Sequence, residues 1–291
     1  MRLDTPEGNL EPSRRSIAAS LFFAGYATAA LSSCASPVTT PSDELVTEDI
    51  HVTGAGGYAL PAYVARPAAR GRRGGVIVVN EVFGIHDYIK DVCRRFAREG
   101  YVAIAPDYFD RAGDPAPLTD FDQIRAIVAT ATYEQTMGDT QGALDWLKAQ
   151  PFSDGNFGVT GFCWGGAVVW MAAARFADIK AGVAWYGRLV APQPGGFGAE
   201  EGRPWPVDIA GNLHTPVLGL YAENDRGIPV DTVEQMRAAL QAADNPSRSE
   251  IIVYPGVGHG FHADYRDSYN AEAAADGWSR CLAWFRANGV V

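Results

Sequence analysis

Apolar positions along this chain follow two different rhythms, and the switches between them mark the elements. Leu45 to Val52 and Tyr58 to Ala65 alternate loosely around Gly54-Ala-Gly-Gly57, which predicts a β-hairpin with a glycine turn. Gly75-Val-Ile-Val-Val-Asn80 and Tyr101 to Ala105 are short unbroken apolar runs, as strands buried on both faces of a parallel sheet require. Phe157 to Gly161, Ala181 to Tyr186, Val217 to Ala222 and Glu250 to Tyr254 read as further strands. Between the runs the period lengthens. Ile89, Val92, Cys93 and Phe96 fall at i, i+3, i+4 and i+7, which predicts a helix over Asp87 to Glu99 ended by Gly100. Trp278, Cys281, Leu282 and Phe285 repeat that stripe within a helix over Ala271 to Asn288. Helices are also expected over Phe121 to Thr132, Thr136 to Gln150 (with Leu144, Trp146 and Leu147 packing), Gly165 to Arg175 and Asp231 to Ala243.

Strands alternating with helices imply right-handed crossovers. The expected fold is therefore α/β, a mostly parallel central sheet with helices on both faces, forming one domain over residues 45–291 without internal repeats. Arg188 to Leu213 is rich in Gly and Pro, has no clear period, and is long for a loop; it is expected to cap or border a site. Pro67 to Gly75 is a basic, glycine-rich stretch that reads most simply as a solvated connection.

Composition changes this picture little. A 291-residue chain with 47% apolar and 20% charged residues has ample core. A net charge of −10 without a basic stripe argues against nucleic acid. The four cysteines, Cys34, Cys93, Cys163 and Cys281, are far apart and lack zinc spacing, so no structural metal is expected.

The first 35 residues read as an address. Ser13-Arg-Arg-Ser-Ile17 precedes an apolar stretch of about 15 residues, the size of a signal-peptide core and short for a membrane span. The paired arginines resemble a twin-arginine export signal, and Leu31-Ser-Ser-Cys34 resembles a lipobox. Lipidation at Cys34 and ordinary cleavage after Ala35 are both open. The mature protein is expected in the periplasm or on a lipid anchor, its only membrane contact, and in the cytoplasm if the segment is no signal. Residues 36–44 read as a flexible tether.

Candidate chemistry centres on Gly161-Phe-Cys163-Trp-Gly165. Its spacing between a predicted strand and helix is that of a nucleophile elbow, with cysteine at the centre. The helix N-terminus behind it favours negative charge, and the thiolate is the reactive form. In an open α/β sheet the loops after the strand C-termini gather at one edge. Asp225 follows one strand there and His259 another, giving the chain order nucleophile, acid, histidine. His259 is placed to take the thiol proton and Asp225 to hold the imidazole. Glu81 directly follows an apolar strand and is expected to face the site, hydrogen-bonded to the thiol or to His259. The backbone N–H groups of Val82 and Trp164 are the expected oxyanion donors. Trp164, Trp185, Tyr186 and Trp205 are candidates to line an apolar pocket.

These residues carry a family resemblance over roughly Leu45 to Asn288. Asn80-Glu-Val-Phe-Gly84, Ala105-Pro-Asp-Tyr-Phe109 with Arg111, Gly161-Phe-Cys-Trp-Gly-Gly166, Asp225 and Gly258-His-Gly-Phe261 together resemble the dienelactone hydrolase family of the α/β-hydrolase superfamily. The resemblance implies a Cys163, His259, Asp225 triad and a Glu81 that interacts with Cys163 at rest and is displaced by substrate. It implies that Arg111 holds a substrate carboxylate; Phe83 and Tyr186 are further candidates for contact with substrate. The family's second carboxylate-binding arginine lies four residues past the histidine; here that position is Ala263, and Arg266 is nearby but out of register. The Arg188 to Leu213 segment also looks longer than in the family.

The expected activity is hydrolysis of an ester or lactone, possessing no need of cofactor or metal, by a monomer acting on a small molecule. Two other classes stay open: a non-catalytic exported binding protein on a hydrolase fold, and a thiol redox protein. Cys93 and Cys281 lie on apolar stripes of helices expected on one face of the sheet, which makes a disulfide between them an alternative to two buried thiols.

Overall fold

The apolar runs become the interior of a single eight-stranded sheet. The structure, a computed structural model, describes residues 37–194, 196, 198–199, 202–243 and 248–291. The strands are β1 (Leu45–Thr53), β2 (Ala59–Pro67), β3 (Arg73–Val79), β4 (Val102–Pro106), β5 (Ser153–Phe162), β6 (Ile179–Trp185), β7 (Val217–Ala222) and β8 (Glu250–Tyr254). Their order across the sheet is β1-β2-β4-β3-β5-β6-β7-β8. β1 pairs with β2, and β2 with β4, in antiparallel fashion; every other pairing is parallel. Val76 to Val79 on β3 are fully buried, as a strand covered on both faces must be. The expected hairpin is present, turned by a short 3-10 segment, Ala55–Gly57.

Among the described residues six α-helices cover the sheet: α1 (Asp87–Arg98), α2 (Phe121–Val128), α3 (Tyr133–Ala149), α4 (Trp164–Arg175), α5 (Val230–Ala242) and α6 (Ala271–Ala287). The α1 stripe Ile89, Val92, Cys93 and Phe96 is completely buried. Phe96 lies 4.5 Å from the Trp278 ring and 6.0 Å from Phe285, so α1 and α6 share a face of the sheet, as expected. α2 ends four residues earlier than its pattern suggests. Thr132 is instead the N-cap of α3, its hydroxyl accepting from the Gln135 N–H, so α3 begins before its expected start. The aperiodic 188–213 segment contains one 3-10 stretch, Pro206–Asn212, tied back by Val207 N–H to the Leu189 carbonyl.

Two expectations are corrected. Thr40, expected in a flexible tether, is docked on α1. Its N–H donates to Asp91 Oδ1 at 2.6 Å and its hydroxyl to Oδ2, while Arg94 donates to its carbonyl. Asp91 is buried, and a buried carboxylate recruits every donor within reach. Cys93 and Cys281 are free, buried thiols, with no bridge between them. Burial pushes both thiols up, partly offset at Cys281 by a hydrogen bond with Thr160, and both behave as small hydrophobes in the core. The expected export signal and Cys34 lie outside the described residues. Among the described residues no helix is long and apolar enough to cross a membrane.

The core also holds an imidazole. His262 packs on Trp185 (4.5 Å), Phe162 and Trp278, and its Nδ1 lies 2.5 Å from the Tyr88 hydroxyl. Burial first, then the nearby Arg95 charge, pushes its pKa down to about 3, against a small opposing pull from Glu81. The folded state thus refuses a proton that the unfolded chain takes below about 6.5. Stability from this group is present above that value and is lost as pH falls toward 3. Between pH 7 and 5 the loss is expected to be about 2 kcal/mol. Urea titrations at the two pH values check it: His262→Gln, which keeps an acceptor for Tyr88, should lose about 2 kcal/mol less than the parent.

Candidate active site

Cys163 sits at the sharp turn between β5 and α4, with φ 56° and ψ −113°. A side chain rarely adopts this conformation, and it costs on the order of 1–3 kcal/mol. The turn is forced by close backbone packing. A Cβ at Gly161 would lie 2.3 Å from the Gly165 carbonyl oxygen; one at Gly165 would lie 2.5 Å from the Val79 oxygen and 2.6 Å from that of Asn80. Only hydrogen at both positions lets strand and helix approach so closely. The Cys163 N–H donates to the Trp185 carbonyl and the Cys163 carbonyl accepts from Gly166, which fixes the turn at both ends.

β7 and β8 deliver the other two members. Asp225, in the loop after β7, is buried; its Oδ1 accepts the N–H groups of Gly227 and Ile228 at 2.8 and 3.1 Å. Its Oδ2 lies 2.6 Å from Nδ1 of His259, in the loop after β8. The two loops are stitched by Asn224 N–H to the Val257 carbonyl and by Gly256 N–H to the Glu223 carboxylate. Burial works against ionisation of Asp225, but His259 and the two backbone donors outweigh it and hold the carboxyl below its usual range. Burial likewise works against a charged His259. The Asp225 carboxylate first, then the nearby Cys163 sulfur, overcome it and raise the imidazole to about 10. Asp225 and His259 are therefore in direct contact, with Cys163 close enough to act on the imidazole.

Glu81 is fully buried but engaged elsewhere than expected. Its Oε2 accepts from the Tyr265 hydroxyl at 2.5 Å and lies 3.7 Å from His86 Nε2. Its Oε1 faces Arg266 Nη2 at 3.0 Å, an ion pair rather than an aligned hydrogen bond. Burial pushes Glu81 up, but Arg266 and His86, then Tyr265, bring it down to about 2. The expected contact with the thiol or His259 gives way to this pair, because a buried carboxylate is held most strongly by a buried guanidinium. Arg266 was missed as a partner because it is three residues beyond the family position, Ala263. Successive turns, Ala263 N–H to Gly260 and Arg266 N–H to Ala263, make three residues one full turn, so that Arg266 returns to the site. That i, i+3 relation was the available signal.

The other expected site residues separate. Arg111 is corrected: its two terminal nitrogens grip buried Asp139 at 2.7 and 2.8 Å, and its guanidinium lies 4.2 Å over the Tyr58 ring. With both nitrogens committed to a carboxylate of α3, it ties the β1–β2 turn to that helix rather than awaiting a ligand. Phe83 is stacked at 5.1 Å against Arg266. Tyr186 has a positive φ of 38° and sets its ring 5.1 Å from His259, edge to face. Its buried hydroxyl lacks a hydrogen-bond partner. Trp164 is packed between Tyr108 and Phe109, and Trp185 is core; Trp205 stacks on Arg203. Val82 and Trp164, whose N–H groups are the expected oxyanion donors, directly follow Glu81 and Cys163 in the chain, and both are buried. Among the described residues no group of three His, Cys, Asp or Glu is placed to hold a metal ion.

A parallel sheet with an elbow after β5 and acid and histidine loops after β7 and β8 is the α/β-hydrolase fold. Residues 60–289 match the model of the dienelactone hydrolase family. A protein of Methylorubrum extorquens, called "Putative carboxymethylenebutenolidase", is 43% identical over 96% of this chain and 94% of its own length. An Escherichia coli protein with the same name is 43% identical over 91% of this chain and 96% of its own. A crystal structure of a dienelactone hydrolase homologue from Klebsiella pneumoniae superposes with a TM-score of 0.77 at 43% identity, covering 83% of this chain and 98% of that one. The chain belongs to the dienelactone hydrolase family and is a hydrolase.

The Glu81–Arg266 pair makes a sharp prediction. Arg266→Ala strands a buried carboxylate and is expected to cost about 3–5 kcal/mol in chemical denaturation. Replacing both partners, Glu81→Leu with Arg266→Met, is expected to recover most of that loss.

Proposed function

We propose that this hydrolase cleaves small carboxylic esters or lactones through Cys163, with His259 and Asp225 completing the triad. The observation that carries the reading is the contact chain itself: Asp225 Oδ2 at 2.6 Å from His259 Nδ1, and the same imidazole near enough to Cys163 at the elbow for the sulfur to bias its protonation. In this reading His259 takes the thiol proton and the sulfur attacks the carbonyl carbon. The backbone N–H groups of Val82 and Trp164 receive the oxyanion, each contributing on the order of 3 kcal/mol. The tetrahedral adduct collapses, the C–O bond breaks, and His259 returns the proton to the leaving oxygen. A lactone opens to a hydroxyacyl thioester in the same step. Water, deprotonated by His259, then releases the acid and the free thiol.

The raised His259 pKa supports a division of labour between the two halves. A negative sulfur is one of the groups that raise it. While sulfur is anionic, the imidazole stays protonated and is ready to act as an acid. Once sulfur is acylated, that charge is gone, the pKa falls, and the same ring becomes a base for water. The timing of acid and base roles then follows from electrostatics alone. Residues 1–35 are proposed as an export signal, on the strength of the paired arginines and the apolar stretch behind them.

Steady-state hydrolysis of p-nitrophenyl acetate and a panel of lactones tests the chemistry. Cys163→Ala is expected to lower kcat by at least about 1,000-fold. Asp225→Asn, which disturbs the imidazole tautomer, should lower it by about 10,000-fold. Mass spectrometry of the parent quenched during turnover should find the acyl group on Cys163. Full activity in Cys163→Ala, or an acyl group only at another residue, refutes the assignment.

A further inference from the structure

The opposite edge of the sheet carries a second feature that the hydrolytic site does not use. Arg66, Arg70, Arg72 and Arg73 fall within eight residues, on a chain whose net charge is −10. They line a cavity of about 520 Å³ at the N-terminal ends of β3 and β5, together with Val102, Pro151 and Phe152. Seven residue steps along the strand lead from Arg73 to Asn80, so the cavity lies roughly 23 Å from the elbow edge. Among the described residues none of the four arginines pairs with a carboxylate, and no Asp or Glu lines the cavity.

Three of the four guanidinium groups are held in place without being neutralised. The Arg66 guanidinium lies 4.6 Å over the Phe152 ring, and among the described residues its buried Nε has no hydrogen-bond partner. Arg72 Nε donates to the Ser153 carbonyl at 2.7 Å. Arg73 donates to the carbonyls of Gly100 and Ala69. Backbone carbonyls aim a cation but leave its charge intact, and a buried donor without an acceptor marks a place where an acceptor belongs. Four like charges around one cavity repel each other unless a multiply charged anion joins them. Planar forks of this kind match phosphate oxygens two at a time. The volume exceeds a bare ion, and Pro67, Pro151 and Phe152 in the lining offer apolar contact to whatever carries it.

We infer that this cavity binds the phosphate group of a phosphorylated organic molecule. Two sources share that chemistry: a soluble phosphate ester, and the headgroup of an anionic phospholipid. The second is geometrically open because the segment leading into β1 is tied to the same loop, Ala68 N–H to the Glu44 carbonyl at 2.8 Å.

Calorimetric titration of the full chain with inorganic pyrophosphate probes the soluble source. Flotation with phosphatidylglycerol vesicles, compared with phosphatidylcholine vesicles, probes the lipid source; comparing lipids and variants cancels any contribution of the apolar leader. The variants are Arg70→Gln with Arg72→Gln, Arg70→Gln alone, which leaves the Ser153 contact intact, and Arg280→Gln, paired with Asp276 beside β8 at the far edge of the sheet, as a control. Saturable binding to at least one probe is expected, weakened about tenfold in the double variant and several-fold in Arg70→Gln, and unchanged in Arg280→Gln. Pyrophosphate binding without lipid preference assigns a soluble ligand; preference for phosphatidylglycerol alone assigns a headgroup. Absence of saturable binding to both probes, or equal weakening in Arg280→Gln, overturns the inference. Ester hydrolysis is not the readout, so the fate of the catalytic proposal does not affect the result.

Discussion

Everything at the elbow depends on two glycines that leave no room for a side chain. The β5 strand and α4 helix meet so closely that Gly161 touches the Gly165 carbonyl, and Gly165 in turn rests on the backbone of β3 at Val79 and Asn80. This packing over-determines the residue between them. The strain at Cys163 is modest, on the order of 1–3 kcal/mol, beside the burial of β5 and α4 on both sides of it. The conformation therefore persists without help from the side chain it displays. The same contact sets where Glu81 and Val82 begin, because β3 ends where α4 starts.

The charges around the elbow form two separate circuits. One runs from Asp225 to His259 to Cys163. The other joins Glu81 to Arg266, Tyr265 and His86. Both meet near the sulfur, since Arg266 and His259 each respond to its charge. Buried ion pairs contribute little net stability over apolar packing, so a pair kept at this depth is better understood by what it does to its neighbours than by what it adds to folding. His262 illustrates the contrast: wrapped in aromatic rings, with Tyr88 bonded to Nδ1, it is held neutral where His259 is held charged.

Much of this was legible along the chain. Runs such as Val76–Val79 have one physical use, and the strands appear where they stand. The α1 stripe is buried residue for residue. Helix ends were less legible, because Thr132 serves α3 as a cap rather than α2 as a last turn. The elbow and the order of acid and histidine could be read because spacing and chain order encode them. The partner of Arg111 could not, and that of Glu81 only by counting loop turns. Arg266 reaches Glu81 through two loop turns, and Asp139 approaches Arg111 from a helix 28 residues away. Side-chain direction in a loop depends on contacts that a linear pattern does not carry.

The docking of Thr40 changes where the folded unit begins. Asp91 sits inside α1 with Arg94 and Arg95 on one side and the backbone and hydroxyl of Thr40 on the other. A shortened version of the enzyme begun at Leu45, the first strand residue, would amputate two of the donors that solvate this carboxylate and admit water to the helix face beneath it. The practical boundary of the domain is thus chemical rather than topological: it lies at a hydroxyl that precedes the sheet by five residues.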